Sequence, residues 1–178
     1  MRYSTIVADP PWEVGRASTN WGRPEREAIE LDYPTMDVEE IAALPVRDLA
    51  ERDAHLYIWT INSYVEDTYQ IARDWGFKPI RLLTWAKQPI GMAPGGTFSS
   101  TSEFILFCRK GSLKAVNKVD RSWFDWPRQN RHSAKPEAFL DMVERVSPPF
   151  RLEMFARRNR FGWDVWGNES LETVELSA

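Results

Sequence analysis

An α/β fold built on a mostly parallel sheet, with helices covering both faces, is predicted by three observations. Apolar, β-rich runs alternate along the chain with segments of helical periodicity. The strand runs are apolar throughout rather than alternating, as strands buried on both faces are. The chain has 178 residues, 43% of them hydrophobic, with no internal repeat, low-complexity tract or shift in composition. One core can therefore form, burying roughly 70% of the unfolded chain's surface. A single domain over residues 1–169 and a frayed tail over 170–178 are expected.

The elements follow in order. Residues 3–8 form a β-rich run that stops at Asp9-Pro10-Pro11, because prolines cannot donate to a strand ladder. Residues 14–33 are polar and broken by Gly and Pro, which reads as a long functional loop. Residues 37–44 read as a short helix with Asp37 as N-cap and Glu40 at the reciprocal capping position. Residues 55–60 (HLYIWT) are a buried strand. Residues 63–75 are a helix carrying Val65, Tyr69, Ala72 and Trp75, with Gly76 as its stop. Residues 80–85 and 103–108 are strands, separated by a Gly/Pro-rich loop at 88–101. A weaker strand is expected near 113–116, then a second long loop at 123–135. Residues 136–146 are a helix, with Pro136 suited to its first position and Phe139, Met142, Val143 and Val146 on one face. Strands at 151–155 and 163–166 close the domain. In open sheets of this kind ligands sit beyond the carboxyl ends of the strands, where Asp9 and both long loops fall.

Composition excludes several classes. Twenty-three basic against 26 acidic residues give a net charge of −3, which does not suit a generic polycation. One cysteine and two histidines exclude a disulfide scaffold and argue against a His/Cys zinc site, so no metal is expected. No apolar run approaches the ~20 residues of a membrane span, and the first residues do not have the layout of a signal peptide. A soluble, intracellular protein is expected. The oddity is aromatic, with nine Trp, nine Phe and five Tyr.

Asp9-Pro10-Pro11-Trp12 directly follows a strand and precedes a polar loop. Two prolines fix φ and remove two donors, so the turn presents carbonyl oxygens, a carboxylate and an indole. That set suits an amino group on a flat aromatic ring, such as the exocyclic amine of adenine. Asp9 and the Pro10 carbonyl would each accept one amine hydrogen, turning the lone pair toward an electrophile, while Trp12 stacks on the base. The same four residues also suit a rigid turn around a buried Trp.

With this motif at its head, the chain resembles the DPPW-type adenine N6-methyltransferases (the MT-A family). That family includes the messenger-RNA adenosine methyltransferase catalytic subunit and many bacterial and phage DNA enzymes. The other matching pieces are YPTM (33–36), LYIWT (56–60), WGF (75–77), LTWAK (83–87), SEFILFCRKG (102–111), HSAKPE (132–137), RVSPPFRLEMFAR (145–157) and GWDVWGNE (162–169). They occur in the family's order and cover residues 2–169. The resemblance implies a Rossmann-like class I methyltransferase sheet in permuted order, with the catalytic motif first and part of the cofactor site near the C-terminus. The chain lacks GxGxxG, and the permuted order accounts for it. The implied cofactor is S-adenosylmethionine. By the resemblance Lys135 neutralises its methionine carboxylate and Asp9 also meets its amino group. Arg157 and Asn168 hold the ribose, with Asn159, Arg160 and Glu169 as weaker candidates. Taken alone, Lys135, Arg157 and Asn168 could equally be a solvated lysine, surface charge and a turn residue. Cys108 and His55 read as structural residues. His132 lies beside the proposed site without a settled duty, and Glu103 is a candidate partner for a site residue.

The implied substrate is nucleic acid, with the target adenine flipped out or already single-stranded. Residues 109–135 carry a local net charge of +6 and residues 25–53 one of −7. The basic stretch interleaves Trp123, Phe124 and Trp126, as a surface that tracks phosphates and stacks bases would; folding of these aromatics onto the core is the alternative. Tyr33, Trp85, Arg128 and Arg131 are the further substrate candidates, and the two long loops are candidate gates. Compact prokaryotic and phage members mostly modify DNA, so DNA methylation in the cytoplasm of a bacterial or phage-infected cell is expected. RNA methylation is the alternative, and a catalytically silent nucleic-acid-binding scaffold is a third reading. Longer family members have a segment before the DPPW strand that helps wall the cofactor's adenine pocket. Here eight residues precede Asp9, so that wall is expected either to be missing, with modest cofactor affinity, or to come from elsewhere in the chain or from a second copy in a homodimer.

Overall fold

In the computed structural model, residues 2–13, 34–87, 98–128, 134–167 and 174–175 are described. They form a seven-stranded sheet in the order β5-β3-β4-β2-β1-β6-β7. Its strands are β1 (Tyr3–Ala8), β2 (Ala50–Thr60), β3 (Lys78–Ala86), β4 (Ser102–Lys110), β5 (Trp123–Phe124), β6 (Arg151–Met154) and β7 (Trp163–Trp166). β1 runs parallel to both its neighbours, as do β6 with β7 and β3 with β5; only β4 is antiparallel, lying between β2 and β3. The sheet is thus mostly parallel, as expected of a Rossmann-like methyltransferase.

Successive strand residues point to opposite faces, and each face has its own core. On one side Ile6, Ala8, Leu56, Ile58, Leu152 and Met154 pack with Ile41, Val46, Ile71 and Trp75, which come from or adjoin α1 (Val38–Ala42), α2 (Val46–Leu49) and α3 (Val65–Asp74). On the other side Val7, Tyr57, Trp59, Leu83, Trp85 and Ile105 pack with Phe139, Leu140, Met142 and Val143 of α4 (Glu137–Val146). The apolar runs read from sequence are apolar because both faces of each central strand are covered.

Local signals hold in detail. The Asp37 side chain accepts from the Glu40 amide at 2.7 Å and Glu40 returns a bond to the Asp37 amide at 2.9 Å, forming the expected capping box. α3 stops where Gly76 takes a φ of +80°. Four features differ. Residues 113–116 form no strand, because the Leu113 carbonyl is taken by His55 and the Val116 amide by the Val146 carbonyl. The segment expected as a loop from 123 begins with β5, while α2 and the first five residues of β2 went unread. Pro136 caps α4 rather than opening it. Within the expected tail, Val174 packs on the core and its amide bonds the Val165 carbonyl at 2.8 Å. Among the described residues no helix is long and apolar enough to cross a membrane.

Candidate active site

β1 delivers Asp9 to the edge formed by the carboxyl ends of the parallel strands. The turn after it is held by three backbone bonds. The Asp9 amide donates to the Met154 carbonyl at 3.4 Å, the Trp12 amide to the Pro10 carbonyl at 2.9 Å, and the Met36 amide to the Pro11 carbonyl at 3.1 Å. The i→i+2 closure over Pro11 uses the φ that proline already fixes. A carbonyl has two lone pairs, so the Pro10 oxygen keeps capacity for another donor.

Trp12 is turned inward. It is 5% exposed, its Nε1 donates to the Trp59 carbonyl at 3.0 Å, and its ring stacks on Tyr64 with centroids 4.9 Å apart. Tyr64 in turn donates its hydroxyl to the Glu13 carbonyl at 2.7 Å. The expectation of an open indole face for a base is corrected by this burial: Trp12 anchors the turn. Trp85 is likewise a core residue, 3% exposed, edge-on to Trp59 at 5.9 Å and bonded through Nε1 to the Trp126 carbonyl at 2.8 Å. A base cannot stack on a ring sealed this way. Trp126 stacks on Phe124 at 4.2 Å, whereas Trp123 remains 56% exposed on the edge strand β5, with β3, β4 and β2 between it and β1.

Charges converge on Asp9. Lys135, two residues ahead of α4, places Nζ 2.8 Å from Asp9 Oδ2 and 3.7 Å from Glu103 Oε2. Glu103, opposite Trp85 where β4 pairs with β3, also binds Lys87 at 2.7 Å. The ammonium of Lys135 also lies 5.2 Å over the Trp59 ring. Burial alone would lower the Lys135 pKa, but the Asp9 and Glu103 carboxylates outweigh it and hold the ammonium above the usual lysine value. Asp9, Lys135 and Glu103, 126 and 32 residues apart in sequence, are thus one ionic cluster whose side chains are 19–24% exposed.

β6 brings Glu153, which sequence reading did not single out. It pairs with Val7 on one side and Val165 on the other, so it shares their face, the one that α4 covers. Its Oε2 is buried without a hydrogen-bond partner among the described residues. Burial first, and the Asp9 charge second, push its carboxyl up to about 7. In sequence RLEM simply alternates charged and apolar residues, so nothing there marks Glu153 as facing inward. Phe155, the next residue but one, has a φ of +63°, a left-handed conformation disfavoured for an aromatic. Its ring packs edge-on against Trp166 at 5.0 Å. Gly167 permits that corner, since a Cβ there would lie 2.2 Å from the Ala156 carbonyl oxygen.

Of the candidate ribose contacts, Arg157 acts electrostatically on Lys135, so it shares the site. Arg160 is engaged elsewhere. Its guanidinium bonds Glu144 at 2.8 Å, Glu137 at 3.1 Å and Asp141 at 2.6 Å, all on α4. Arg158 pairs with Glu137 as well. Asn159 and Arg128 are exposed. Tyr33, Arg131, His132, Asn168 and Glu169, with most of both expected gate loops, lie outside the described residues. His55 and Cys108 are structural, as read. His55 is fully buried, with Nε2 donating to the Leu113 carbonyl at 3.2 Å and Nδ1 facing the Ser147 hydroxyl at 2.8 Å. Among the described residues no cluster could hold a metal ion.

Residues 3–169 match the family model described as MT-A70. The type II methyltransferase M.MunI of Mycoplasma sp is 29% identical over 94% of this chain and 78% of its own length. The N6-methyladenosine RNA methyltransferase MTA1 of Pyricularia oryzae is 26% identical over 98% of this chain and 49% of its own length. The human N(6)-adenosine-methyltransferase catalytic subunit METTL3 is 24% identical over 98% of this chain, which spans 29% of that protein.

Proposed function

The chain belongs to the MT-A70 family of methyltransferases, and from that premise we propose that it transfers the methyl group of S-adenosylmethionine to the exocyclic N6 amine of adenine in DNA. The observation that carries this reading is the Asp9–Lys135 pair, 2.8 Å apart, at the mouth of the DPPW turn. The residues present fit the cofactor. A zwitterionic amino acid can exchange one ion pair for two, its carboxylate taking Lys135 and its ammonium a carboxylate of the site. The buried Oε2 of Glu153, without a donor among the described residues, is a further acceptor. Arg157 offers fixed donors for ribose hydroxyls.

When bound, S-adenosylmethionine supplies an electrophilic methyl group on a positively charged sulfur. The protein's part is to present the amine. Asp9 and the free lone pair of the Pro10 carbonyl accept its two hydrogens and direct the nitrogen lone pair out of the ring plane. The methylated nitrogen is a strong acid, so its proton leaves without a strong base, and Asp9 serves orientation and polarisation. Trp12 makes the turn rigid from beneath. The exposed Trp123, preceded by Lys114, Lys118 and Arg121, suits the backbone and a neighbouring base of a single strand or a flipped-out nucleotide.

DNA is favoured because the chain matches most of the length of a bacterial relative and resembles compact prokaryotic members. The relatives named for adenosine or RNA favour RNA as the second reading. Incubating the chain with labelled S-adenosylmethionine and matched DNA and RNA oligonucleotides, single- and double-stranded, tests both. Nucleoside mass analysis should find N6-methyldeoxyadenosine. N6-methyladenosine alone would move the reading to RNA, and no product with measurable nucleic-acid binding would favour a scaffold.

A further inference from the structure

We infer that Glu153 is the main seat of the cofactor's ammonium group. The inference rests on the cofactor reading above and assigns a residue that it left open. Three observations carry it. Glu153 is the third of the four residues of β6, opposite Val7 of β1, which lies two residues before Asp9. Its Oε2 is buried and has no donor among the described residues, which a lasting carboxylate inside a sheet does not tolerate. The charges around it are already spoken for. Asp9 is paired with Lys135, and Glu103 with Lys87 and Lys135. Arg160, from the connection between β6 and β7, is divided among Glu137, Asp141 and Glu144 of α4. The flanking residue on β7, Val165, brings no charge.

Among the described residues an ionised Glu153 would therefore face Asp9 with only the shared charge of Arg160 to offset it, and burial favours the neutral form. An ammonium reverses that preference because it offers both positive charge and N–H donors to the orphaned oxygen. A sulfonium offers the charge alone. On entry, the Glu153 O–H bond breaks, its proton passes to the solvent buffer, and the carboxylate accepts from the ammonium. Asp9 is then free to spend its oxygens on the adenine amine, so one carboxylate need not serve two ligands.

Calorimetric titration at pH 6.0 in two buffers of different ionisation enthalpy counts the protons released. With the carboxyl at about 7, roughly nine-tenths of a proton should leave wild type for each S-adenosylmethionine bound. Glu153→Gln should release none and bind on the order of tenfold more weakly at pH 8. 5′-Methylthioadenosine, which lacks the amino-acid end, should release none from either protein. Infrared difference spectra of wild type, which need no variant, should lose a protonated-carboxyl carbonyl band when S-adenosylmethionine is added. Binding without proton release, or with release that survives Glu153→Gln, overturns the assignment alone. Failure of wild type to bind S-adenosylmethionine overturns the cofactor reading, and this inference with it.

Discussion

Replacing Arg160 with methionine removes the guanidinium that ties the β6–β7 connection to α4. It also decides between two roles for that residue, a ribose contact and a structural clamp. The substitution deletes hydrogen bonds of 2.8 Å to Glu144, 3.1 Å to Glu137 and 2.6 Å to Asp141. Arg160 itself is 20% exposed, while the three carboxylates are 32%, 43% and 63% exposed. The Glu144 bond is the least exposed of the three, and as a partly screened charge-assisted hydrogen bond it contributes about 1–2 kcal/mol. The other two are solvent-screened and contribute ~0–1 kcal/mol each. A loss of about 2–3 kcal/mol follows, which for a chain of this size lowers Tm by roughly 8 °C. The pH dependence has a definite sign. The hydrogen bond from Arg160 is the largest cause holding the Glu144 carboxyl below its ordinary 4.5. Its stabilisation is therefore present above that value and is lost as pH falls through the lower, folded one. Urea denaturation should show the full gap between wild type and Arg160→Met at pH 7 and a shrinking gap below about pH 4. Affinity for S-adenosylmethionine should stay within about twofold of wild type, since the change removes no proposed ligand contact. A variant with wild-type stability and lost cofactor binding would refute the clamp and return Arg160 to the ribose.

Asp9→Ala should abolish methyl transfer while calorimetry still detects weakened S-adenosylmethionine binding; an active variant would remove Asp9 from the chemistry. Lys135→Met should weaken cofactor binding by on the order of tenfold or more, a charge-assisted contact's worth, and unaltered affinity would place the methionine carboxylate elsewhere. Trp12→Phe leaves the buried Trp59 carbonyl without its donor, at about 1–3 kcal/mol by urea denaturation, and turnover should fall with it. Glu153→Gln should match wild type near pH 4.5 and exceed it above pH 7 by at most about 3 kcal/mol. The neutral carboxyl stabilises the fold below its unfolded value of 4.5, and that advantage is lost as pH rises through about 7.

Much of the fold was legible in the sequence because the signals are local. Alternating apolar strands and amphipathic helices announced the sheet, Asp37 and Glu40 announced a helix start, and two prolines after β1 announced where the chain must turn. What was not legible depends on which neighbour the fold supplies. β5 is two residues long and owes its existence to pairing with Thr84 and Trp85. The strand expected at 113–116 gave up its backbone groups to His55 and Val146, which lie far away in sequence. Arg160 looked like a ligand contact until α4 presented three carboxylates at four- and three-residue spacing on its face. Glu153 carried no motif weight, and its meaning appears only when both strand neighbours are seen to be valines.

The aromatic richness shows the same dependence and sharpens the chemistry. Composition could not say whether Trp12 holds a base or a turn; its 5% exposure and its bond to the Trp59 carbonyl decide for the turn. That outcome strengthens the role given to Asp9. An orienting carboxylate is useful only if it stays where the amine will be, and effective positioning falls steeply with about 1 Å of drift. Pro10 and Pro11 remove backbone freedom on one side of Asp9, and the buried indole pins the far end of the turn under β2. The Met154 carbonyl holds the Asp9 amide from β6. The carboxylate is thus fixed from both flanking directions by the turn's own backbone and by a buried ring. Among the described tryptophans of the basic stretch, Trp123 is the exposed one.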